Sequence, residues 1–321
     1  MVIMNKLIKQ IKKVIYRANN IAIFSHVSPD FDALGSSFAL QYFLKSINKN
    51  AKFFCNDDLT LKERMLFDEH SIGKTFKIED FDLVISVDTP SIQMLGIYGE
   101  DFMKSTNRIV IDHHQNIDLN GQVTLVDTAF SSCCEIVFKV LKSFRKPLSK
   151  EVVSALYAGL STDTNSFVNT NTTVNSFMTA YELMNLGADV VKINETIYRT
   201  KTLKEIDFKK YVLSNMVIKE DIAYCLMPKK QLDKMHGTKS DCSGISSDLV
   251  AYQGVNIAFS IVEEDIGVFK VSFRSKYGYD VRKIANFIGG GGHIGASGAT
   301  LKGDNIDQIK DKVLDAIDKN R

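Results

Sequence analysis

Three predicted β-strands in the first half of the sequence run directly into acidic or histidine side chains. The strands cover residues 21–25, 82–87 and 108–111, and the side chains that follow them are His26, Asp30, Asp32, Asp88, Asp112, His113 and His114. Because the carboxyl ends of parallel strands meet at one edge of a sheet, we expect these side chains to converge. A single Asp after a strand usually closes a turn or caps a helix, but the same pattern after three strands indicates a functional site.

The rest of the first half alternates between helical and strand patterns. Helices are predicted at 5–18, 36–48, 131–144 and 151–160, and further strands at 51–55 and 123–126. Strands that alternate with helices predict an α/β fold, in which a parallel sheet carries helices on both of its faces.

The length of 321 residues exceeds that of one ordinary core, so two domains are expected. An amphipathic helix at 173–187 and a charge-rich helical segment at 190–208 close the first part. Strand patterns then follow at 211–219, 222–228, 255–263 and 268–274. We therefore predict a first domain at 1–189, a helical linker at 190–208 and a smaller α/β domain at 209–321.

Six side chains in the first domain are candidate metal ligands, and they are His26, Asp30, Asp32, Asp88, His113 and Asp163. Their four carboxylates balance the charge of two divalent cations. Two ions held about 3.5–4 Å apart need a bridging carboxylate, and Asp88, alone at its strand end, is the candidate. Mixed imidazole and carboxylate ligation favours manganese over magnesium. Hydroxide activated by such ions is best suited to attack phosphorus.

The second domain carries a run of four glycines, Gly289 to Gly292, followed by His293. Consecutive glycines permit unusual backbone angles, and their N–H groups can form a nest that binds an anion. A flexible linker is the alternative, although the composition is unlike a Gly/Ser linker. Arg274 lies at the end of a predicted strand, and its planar guanidinium is a candidate for binding a second phosphate. The alternative interpretation is that Arg274 is an ordinary solvated surface residue.

The charge balance limits the kinds of partner that the chain can bind, and the cysteines indicate its compartment. Lys and Arg number 40 against 38 Asp and Glu, a net charge of +2, which provides no overall field for gripping long duplex nucleic acid. No apolar run reaches the ~20 residues of a membrane helix, and the N-terminal pattern is an amphipathic helix rather than a signal peptide. The five cysteines, an odd number, predict a reduced cytoplasmic protein.

Five motifs together resemble those of the DHH phosphoesterase superfamily, in the branch that carries the DHH-associated (DHHA1) C-terminal domain. They occur in the order of the family and extend over nearly the whole chain. The motifs are His26-Val-Ser-Pro-Asp30-Phe-Asp32-Ala-Leu-Gly-Ser36, Val87-Asp88-Thr89, Asp112-His113-His114, Leu160-Ser-Thr-Asp163-Thr164 and Gly289 to Ala299. The resemblance makes the first domain the DHH catalytic domain and the second the DHHA1 substrate-binding domain.

The resemblance also implies roles for individual residues. One manganese ion would be held by His26, Asp30 and Asp88, and the other by Asp32, Asp88, His113 and Asp163. His114 would contact the scissile phosphate and Asp112 would orient a histidine from behind it, so that the catalytic set is Asp88, Asp112 and His114. In the second domain, the far phosphate or base of the substrate would be bound by Arg274, Ser275, Gly290, Gly291, Gly292 and His293.

The two-domain length resembles the nanoRNase and pAp-phosphatase group of the superfamily. Its members degrade RNA of a few nucleotides, and 3′-phosphoadenosine 5′-phosphate (pAp), to mononucleotides. The alternative is a stand-alone phosphodiesterase for cyclic di-AMP or linear pApA, which uses the same motifs. Asn165 stands where the family pattern has Gly, and this departure bears on substrate preference.

Three other functions agree less well with the sequence. The four-glycine run argues against a manganese pyrophosphatase, and a long-DNA exonuclease carries extra domains that this length does not hold. A non-catalytic nucleotide sensor would have lost a metal ligand, whereas all six are present. A homodimer is left open, because the sequence alone names no interface.

Overall fold

A five-stranded, all-parallel sheet forms the centre of the first part of the chain. A computed structural model describes residues 2–238, 240–242 and 244–320. The strands are β1 Asn20–Phe24, β2 Asn50–Phe54, β3 Leu83–Val87, β4 Arg108–Asp112 and β5 Val123–Val126, in the spatial order β2-β1-β3-β4-β5. The order reverses at β1, which pairs with β2 on one side and β3 on the other. In an open parallel sheet this reversal opens a crevice at the carboxyl ends of the two diverging strands.

The two faces of this sheet are covered differently. The helices of this part are α1 Val2–Arg17, α2 Phe31–Ser46, α3 Leu61–Leu66, α4 Gly99–Lys104, α5 Cys133–Lys142, α6 Lys150–Asp163, α7 Val174–Asn185 and α8 Val190–Asn194. Four of them, α1, α2, α5 and α6, share one core with strand residues such as Ile23 and Ile85. On the other face Phe24 and Phe54 pack against Phe76 of a loop, Tyr98 of a short 3-10 helix and Phe102 of α4. The predicted α/β class, with helices on both faces, is confirmed.

The start of α2 differs from the prediction at residue 36. The helix begins at Phe31, because Asp30 is its N-cap and accepts hydrogen bonds through Oδ1 from the N–H groups of Asp32 (2.9 Å) and Ala33 (3.0 Å). Asp32 therefore lies in the first turn of a helix rather than in a loop. Similarly, α6 continues to Asp163, beyond the predicted end at 160.

A second compact unit, Lys201–Arg321, follows the first, Met1–Thr200. Its six strands are β6 Val217–Lys219, β7 Ile222–Met227, β8 Ile257–Asp265, β9 Val268–Ser275, β10 Gly291–His293 and β11 Ala296–Lys302, in the order β10-β11-β9-β8-β7-β6. Only the β7–β8 pair is parallel. The helices are α9 Leu203–Asn215, α10 Lys229–Lys234, α11 Ile245–Val250, α12 Val281–Phe287 and α13 Ile306–Asn320, and they cover both faces of this mixed sheet.

The region between 190 and 219 departs most from the sequence prediction. The predicted helical linker contains α8 and a turn of π-helix at Glu195–Arg199, and the units divide inside it, after Thr200. The predicted strand at 211–219 is wrong over most of its length, because α9 continues to Asn215. Phe208 and Val212 are buried four residues apart, which is a helical period that the β-branched and aromatic composition concealed.

Candidate active site

The side chains that follow β1, β3 and β4 converge at the carboxyl edge of the sheet, where Asp163 joins them from the end of α6. Three overlapping groups have ligand atoms within 4.8 Å of one another, and they are His26 with Asp30 and Asp88, Asp32 with His113 and Asp163, and Asp88 with His113 and His114. This cluster lies at the reversal of strand order between β1 and β3. The structure thus brings together all six candidate ligands of the first unit.

Asp88 occupies the middle of the cluster. Its Oδ1 lies 3.4 Å from Nε2 of His113 and 3.5 Å from Nδ1 of His114, and its Oδ2 lies 3.8 Å from Nε2 of His26. Oδ1 is buried and accepts no well-aligned hydrogen bond from the described residues. Burial opposes ionisation of this carboxyl, but the contact with His113 outweighs it and the pKa is lowered.

The backbone at Asp88 is also unusual. Its φ of 52° lies in the left-handed region, and its N–H donates to the carbonyl of Ile111 in β4 at 3.0 Å. A non-glycine residue in this conformation costs on the order of 1 kcal/mol, which the surrounding structure must offset. The turn aims the carboxylate across the end of the sheet, between the histidines that follow β1 and β4.

Asp32 is held by the N-terminus of α5. Its Oδ2 accepts a hydrogen bond from the N–H of Cys133 at 2.6 Å, and its Oδ1 accepts one from the N–H of Cys134 at 2.9 Å. Burial, together with the charge of Asp88, nevertheless raises the pKa of Asp32 to about 7. A cation bound between the two carboxylates would remove this repulsion, so the pair fits a metal site.

His26 and Asp30 each use one atom locally and turn the other toward the cluster. Nδ1 of His26 donates to the carbonyl of Val27 at 2.8 Å, which fixes the tautomer and leaves Nε2 directed at Asp88. Asp30 uses Oδ1 to cap α2, and its carboxylate still has Oδ2 for a further ligand. Both residues therefore present one atom suited to metal ligation.

His113 has one ring nitrogen surrounded by three carboxylates. Its Nε2 lies 3.3 Å from Oδ2 of Asp163, 3.4 Å from Oδ1 of Asp88 and 3.8 Å from Oδ2 of Asp32. Burial opposes protonation of this ring, but the close contact with Asp88 and the charges of Asp163 and Asp32 raise its pKa to about 11. Burial and the charge of Asp32 raise the pKa of Asp163 well above its usual value. A positive charge at this point is thus strongly favoured by the fold.

Asp112 ties the two histidines of its motif together. Its Oδ1 accepts hydrogen bonds from the N–H of His113 (2.6 Å), the N–H of His114 (2.9 Å) and Nδ1 of His114 (2.7 Å). Nδ1 of His114 therefore carries a proton and the ring orientation is fixed. His114 also belongs to one of the three groups able to hold an ion, whereas the family resemblance implies that it contacts the scissile phosphate.

The turn after Asp163 contains supporting residues that the sequence did not single out. The amide nitrogens Nδ2 of Asn169 and Asn171 donate to the carbonyl of Asp163 at 3.0 and 3.2 Å. Between Asp163 and Asn169 the chain makes a left-handed turn, with positive φ at Asn165 (46°), Ser166 (56°) and Phe167 (67°). This left-handed backbone explains why the family pattern has Gly at position 165. Asn, which stands there in this chain, tolerates such a backbone better than most other side chains do.

In the second unit, Arg274 and His293 lie on one face of the mixed sheet. Arg274 of β9 pairs with Ala296 of β11, which pairs with His293 of β10, so the three side chains project to the same side. The guanidinium is partly buried, which lowers its pKa, and its Nη1 donates to the carbonyl of Phe273 at 2.9 Å. Among the residues that the structure describes, no carboxylate pairs with Arg274. The small Ala296 leaves room between the two larger side chains.

The glycine run ends in the edge strand β10, Gly291–His293, rather than in an open loop. A Cβ on Gly290 would lie 2.1 Å from the carbonyl oxygen of Gly298, and one on Gly292, at φ 138°, 2.6 Å from that of Ala296. These glycines are therefore required by the close pairing of β10 with β11. The hydroxyl of Ser275 donates to the carbonyl of Tyr279 at 2.8 Å, which closes a turn of the chain.

Two further findings concern the helices and the cysteines. No described helix combines the length and the apolar character that crossing a bilayer requires. All five cysteines are free thiols. The cytoplasmic location stays a prediction.

Comparison with known proteins agrees with this architecture. The model of the DHH family, N-terminal domain, matches residues 20–160, and that of the DHHA1 domain matches residues 225–319. The bifunctional oligoribonuclease and PAP phosphatase NrnA of Mycoplasma genitalium is 29% identical over 308 residues, 94% of each chain. The protein of the same name from Thermus thermophilus is 29% identical over 302 residues, 92% of this chain and 89% of that one.

Among solved structures, an exopolyphosphatase-related protein from Bacteroides fragilis is 26% identical to this chain. The two superpose with a TM-score of 0.90 over 98% of this chain and 96% of that one. In this chain the DHH match precedes the DHHA1 match, and together they extend from residue 20 to residue 319. The chain therefore belongs to the DHH phosphoesterase superfamily, in the branch that carries a DHHA1 domain, as its motifs had predicted.

Proposed function

We propose that this chain is a metal-dependent phosphoester hydrolase that degrades short oligoribonucleotides and pAp to mononucleotides. The observation that carries the proposal is the cluster of four carboxylates and two imidazoles around Asp88. The names of the relatives from M. genitalium and T. thermophilus support the choice of substrates. The net charge of +2 provides no extended basic surface, so phosphate binding depends on local groups such as Arg274, and this suits a short nucleotide.

The residues of the cluster fit two divalent metal ions. Its carboxylates supply four negative charges, and the buried Oδ1 of Asp88 accepts no well-aligned hydrogen bond within the part of the chain that the structure describes. We assign one ion to His26, Asp30 and Asp88 and the other to Asp32, Asp88, His113 and Asp163, with manganese as the favoured metal. When bound, such ions lower the pKa of water and neutralise charge on a phosphoryl group.

His114 and Asp112 have a different role in this proposal. Asp112 accepts the Nδ1 proton of His114 at 2.7 Å and so fixes the ring at the rim of the cluster. The side chain of His114 is 29% exposed, against 8% for that of His113, so it is the histidine that a substrate can reach. We assign to His114 the contact with the scissile phosphate and to Asp112 the positioning of that ring.

The far end of the substrate is assigned to the second unit. Arg274 offers a partly buried guanidinium without a paired carboxylate among the described residues, and a terminal phosphate matches its planar fork. His293 lies on the same face two strands away, with Ala296 between them. We propose that this face, together with Ser275 and with Gly290, Gly291 and Gly292 at the start of the edge strand β10, binds the remote phosphate or base.

A comparison of turnover with manganese tests the proposal. The substrates are pAp, RNA of two to five nucleotides, linear and cyclic di-AMP, and pyrophosphate, each with magnesium and without metal as controls. We expect metal-dependent release of mononucleotides from pAp and short RNA. Turnover of cyclic di-AMP or pApA alone would assign the chain to the alternative phosphodiesterase group. No turnover of any substrate with either metal would contradict the enzymatic assignment.

A further inference from the structure

Glu135 is an acidic side chain in the core of the first unit that the proposed reaction does not use. It lies in the first turn of α5 and is wholly buried. Among the residues that the structure describes, no lysine, arginine or histidine pairs with it, and its contacts are hydrogen-bond donors. Burying a carboxylate is costly unless donors surround it, so these donors indicate what the side chain holds in place.

The main partner of Glu135 is the residue that precedes the cap of α5. Its Oε2 accepts hydrogen bonds from the N–H of Ser131 at 2.8 Å and from the hydroxyl of Ser131 at 2.6 Å. In an ordinary capping box, a glutamate at the third helical position bonds to the N–H of the N-cap, which is Ser132 in this helix. Glu135 reaches one residue further back, so it fixes the segment that leads into α5.

The start of α5 in turn positions Asp32. The N–H groups of Cys133 and Cys134, the first two residues of the helix, donate to the two carboxylate oxygens of Asp32 at 2.6 and 2.9 Å. First-turn N–H groups have no partner within their own helix, and their positions follow from the point where the helix starts. Because Ser131 lies just before this point, fixing Ser131 also fixes both donors.

The carbonyl of Ser131 leads to a second carboxylate of the cluster. Nδ2 of Asn171 donates to the carbonyl of Ser131 at 3.1 Å and to the carbonyl of Asp163 at 3.2 Å. Ser131 therefore bonds in two directions, through its N–H and hydroxyl to Glu135 and through its carbonyl to Asn171. A single series of hydrogen bonds that begins at Glu135 thus reaches the segments that carry Asp32 and Asp163.

We propose that Glu135 is a positioning residue for one metal ion of the cluster, the ion whose ligands include Asp32 and Asp163. The inference rests on the proposed function, which supplies the assignment of two ions. His26 and Asp30 belong to the other ion, and they come from the loop after β1, where their own hydrogen bonds are local. Loss of the Glu135 carboxylate should therefore weaken one ion and spare the other, whereas a general loss of structure would weaken both.

Calorimetric titration of the full-length chain with manganese tests this inference in two backgrounds that each impair one ion site. Asp30→Asn removes a ligand of the other ion and can still cap α2, and Asp163→Asn removes a ligand of the ion that Glu135 supports. We expect Glu135→Ala to lower manganese affinity about ten- to a hundredfold in the Asp30→Asn background, but less than about twofold in the Asp163→Asn background. Glu135→Gln keeps an oxygen for both donors of Ser131, so it should restore the affinity to within about threefold.

Two further variants separate positioning from folding. Gln41→Ala removes an equally buried side chain that accepts a hydrogen bond from the N–H of Phe53 in β2 rather than from a residue of the cluster, so both affinities should stay unchanged. Asn171 is exposed, so Asn171→Ala should fold even where Glu135→Ala does not. In the Asp30→Asn background it should lower manganese affinity about three- to tenfold, as loss of one hydrogen bond does.

Three results would overturn the inference and leave the proposed function standing. They are an equal loss of affinity in the two backgrounds, no loss in either background, and a Glu135→Gln variant as impaired as Glu135→Ala. The last result would show that the charge matters rather than the positioning. An unaltered chain that binds no manganese would overturn the proposed function together with the inference.

Discussion

Oδ1 of Asp32 lies only 2.7 Å from the point that a Cβ on Gly159 would occupy. The same Cβ would lie 2.4 Å from Sγ of Cys134 and 2.8 Å from Cα of Asp32. Gly159 is one helical turn before Asp163 in α6, so the missing side chain lets α2 rest on α6 beside the cluster. The position of one candidate ligand thus depends on a glycine that contributes no ligand itself.

Gly159→Ala should weaken metal binding as well as the fold. Its methyl group would push Asp32 away from the N–H groups of Cys133 and Cys134, and overpacking of this kind typically costs 1–3 kcal/mol of unfolding free energy. We expect manganese affinity, measured by calorimetric titration, to fall at least about tenfold. The control is Gly35→Ala, whose Cβ would meet the carbonyl of Ala155 at 2.4 Å rather than the Asp32 carboxylate. Equal loss of affinity in both variants would contradict the assignment.

Asp88→Asn should abolish turnover of every substrate while the protein stays folded. Asn tolerates the left-handed backbone at this position, so the variant removes charge without adding the strain that Ala would bring. Loss of the shared carboxylate should reduce kcat by a factor on the order of a thousand and lower the manganese content. The control is Asp127→Asn, since Asp127 follows β5 but lies outside the cluster. Near-normal activity of Asp88→Asn would refute the bridging role.

Arg274→Ala and His293→Ala should reduce kcat/KM for pAp and dinucleotides and leave metal content unchanged. A lost charge-assisted hydrogen bond costs about 1.5–3 kcal/mol, or about ten- to a hundredfold. A nitrophenyl phosphate ester lacks the remote phosphate or base, so kcat/KM for this substrate should not change in either variant. His113→Ala and Asp163→Ala should impair both kinds of substrate. Lys270→Ala, another basic residue of β9, serves as the control. Equal damage to the minimal substrate by Arg274→Ala would disprove this division of roles.

Asn165→Gly should change the unfolding free energy by no more than about 0.5 kcal/mol relative to the unaltered chain. Relief of the left-handed strain offsets the greater conformational freedom that glycine gives the unfolded chain. Asn165→Val should cost at least about 1 kcal/mol, since a branched side chain strongly disfavours the φ of 46°. Urea unfolding measures both. Asn175→Val, at an exposed helical position of α7, provides the comparison and should cost only a few tenths of a kcal/mol. An unchanged stability for Asn165→Val would show that the turn relaxes freely.

The sequence predicted the strands of the first unit and the converging side chains because both follow from short-range patterns. A β-branched run followed by Asp88 or by Asp112 identifies a strand and its end without knowledge of the partner strands. Asp30 was ambiguous for a physical reason: it caps α2 with one oxygen and turns the other to the cluster, so the two interpretations are compatible.

Features that depend on close packing could not be predicted. Gly159 matters only because α2, α5 and α6 approach at that point, and no local pattern reveals such an approach. The segment 211–219 has strand composition but lies mostly in α9, since burial of Phe208 and Val212 decides in favour of the helix. Periodicity likewise identified the helix at 173–187 but not that its apolar face, with Phe177 and Tyr181, points outward.

The cluster around Asp88 draws its side chains from four separate segments between His26 and Asp163, and its two central strands, β1 and β3, are not consecutive in the chain. Pairing that is distant in sequence is slow, because loop closure precedes any stabilising contact. No fragment of this unit can therefore assemble the cluster early in folding. An ion held there recognises only the finished fold and, at a hundred times its dissociation constant, adds about 2.7 kcal/mol to its stability. Loss of a bound ion would then lower the stability of the fold as well as the activity.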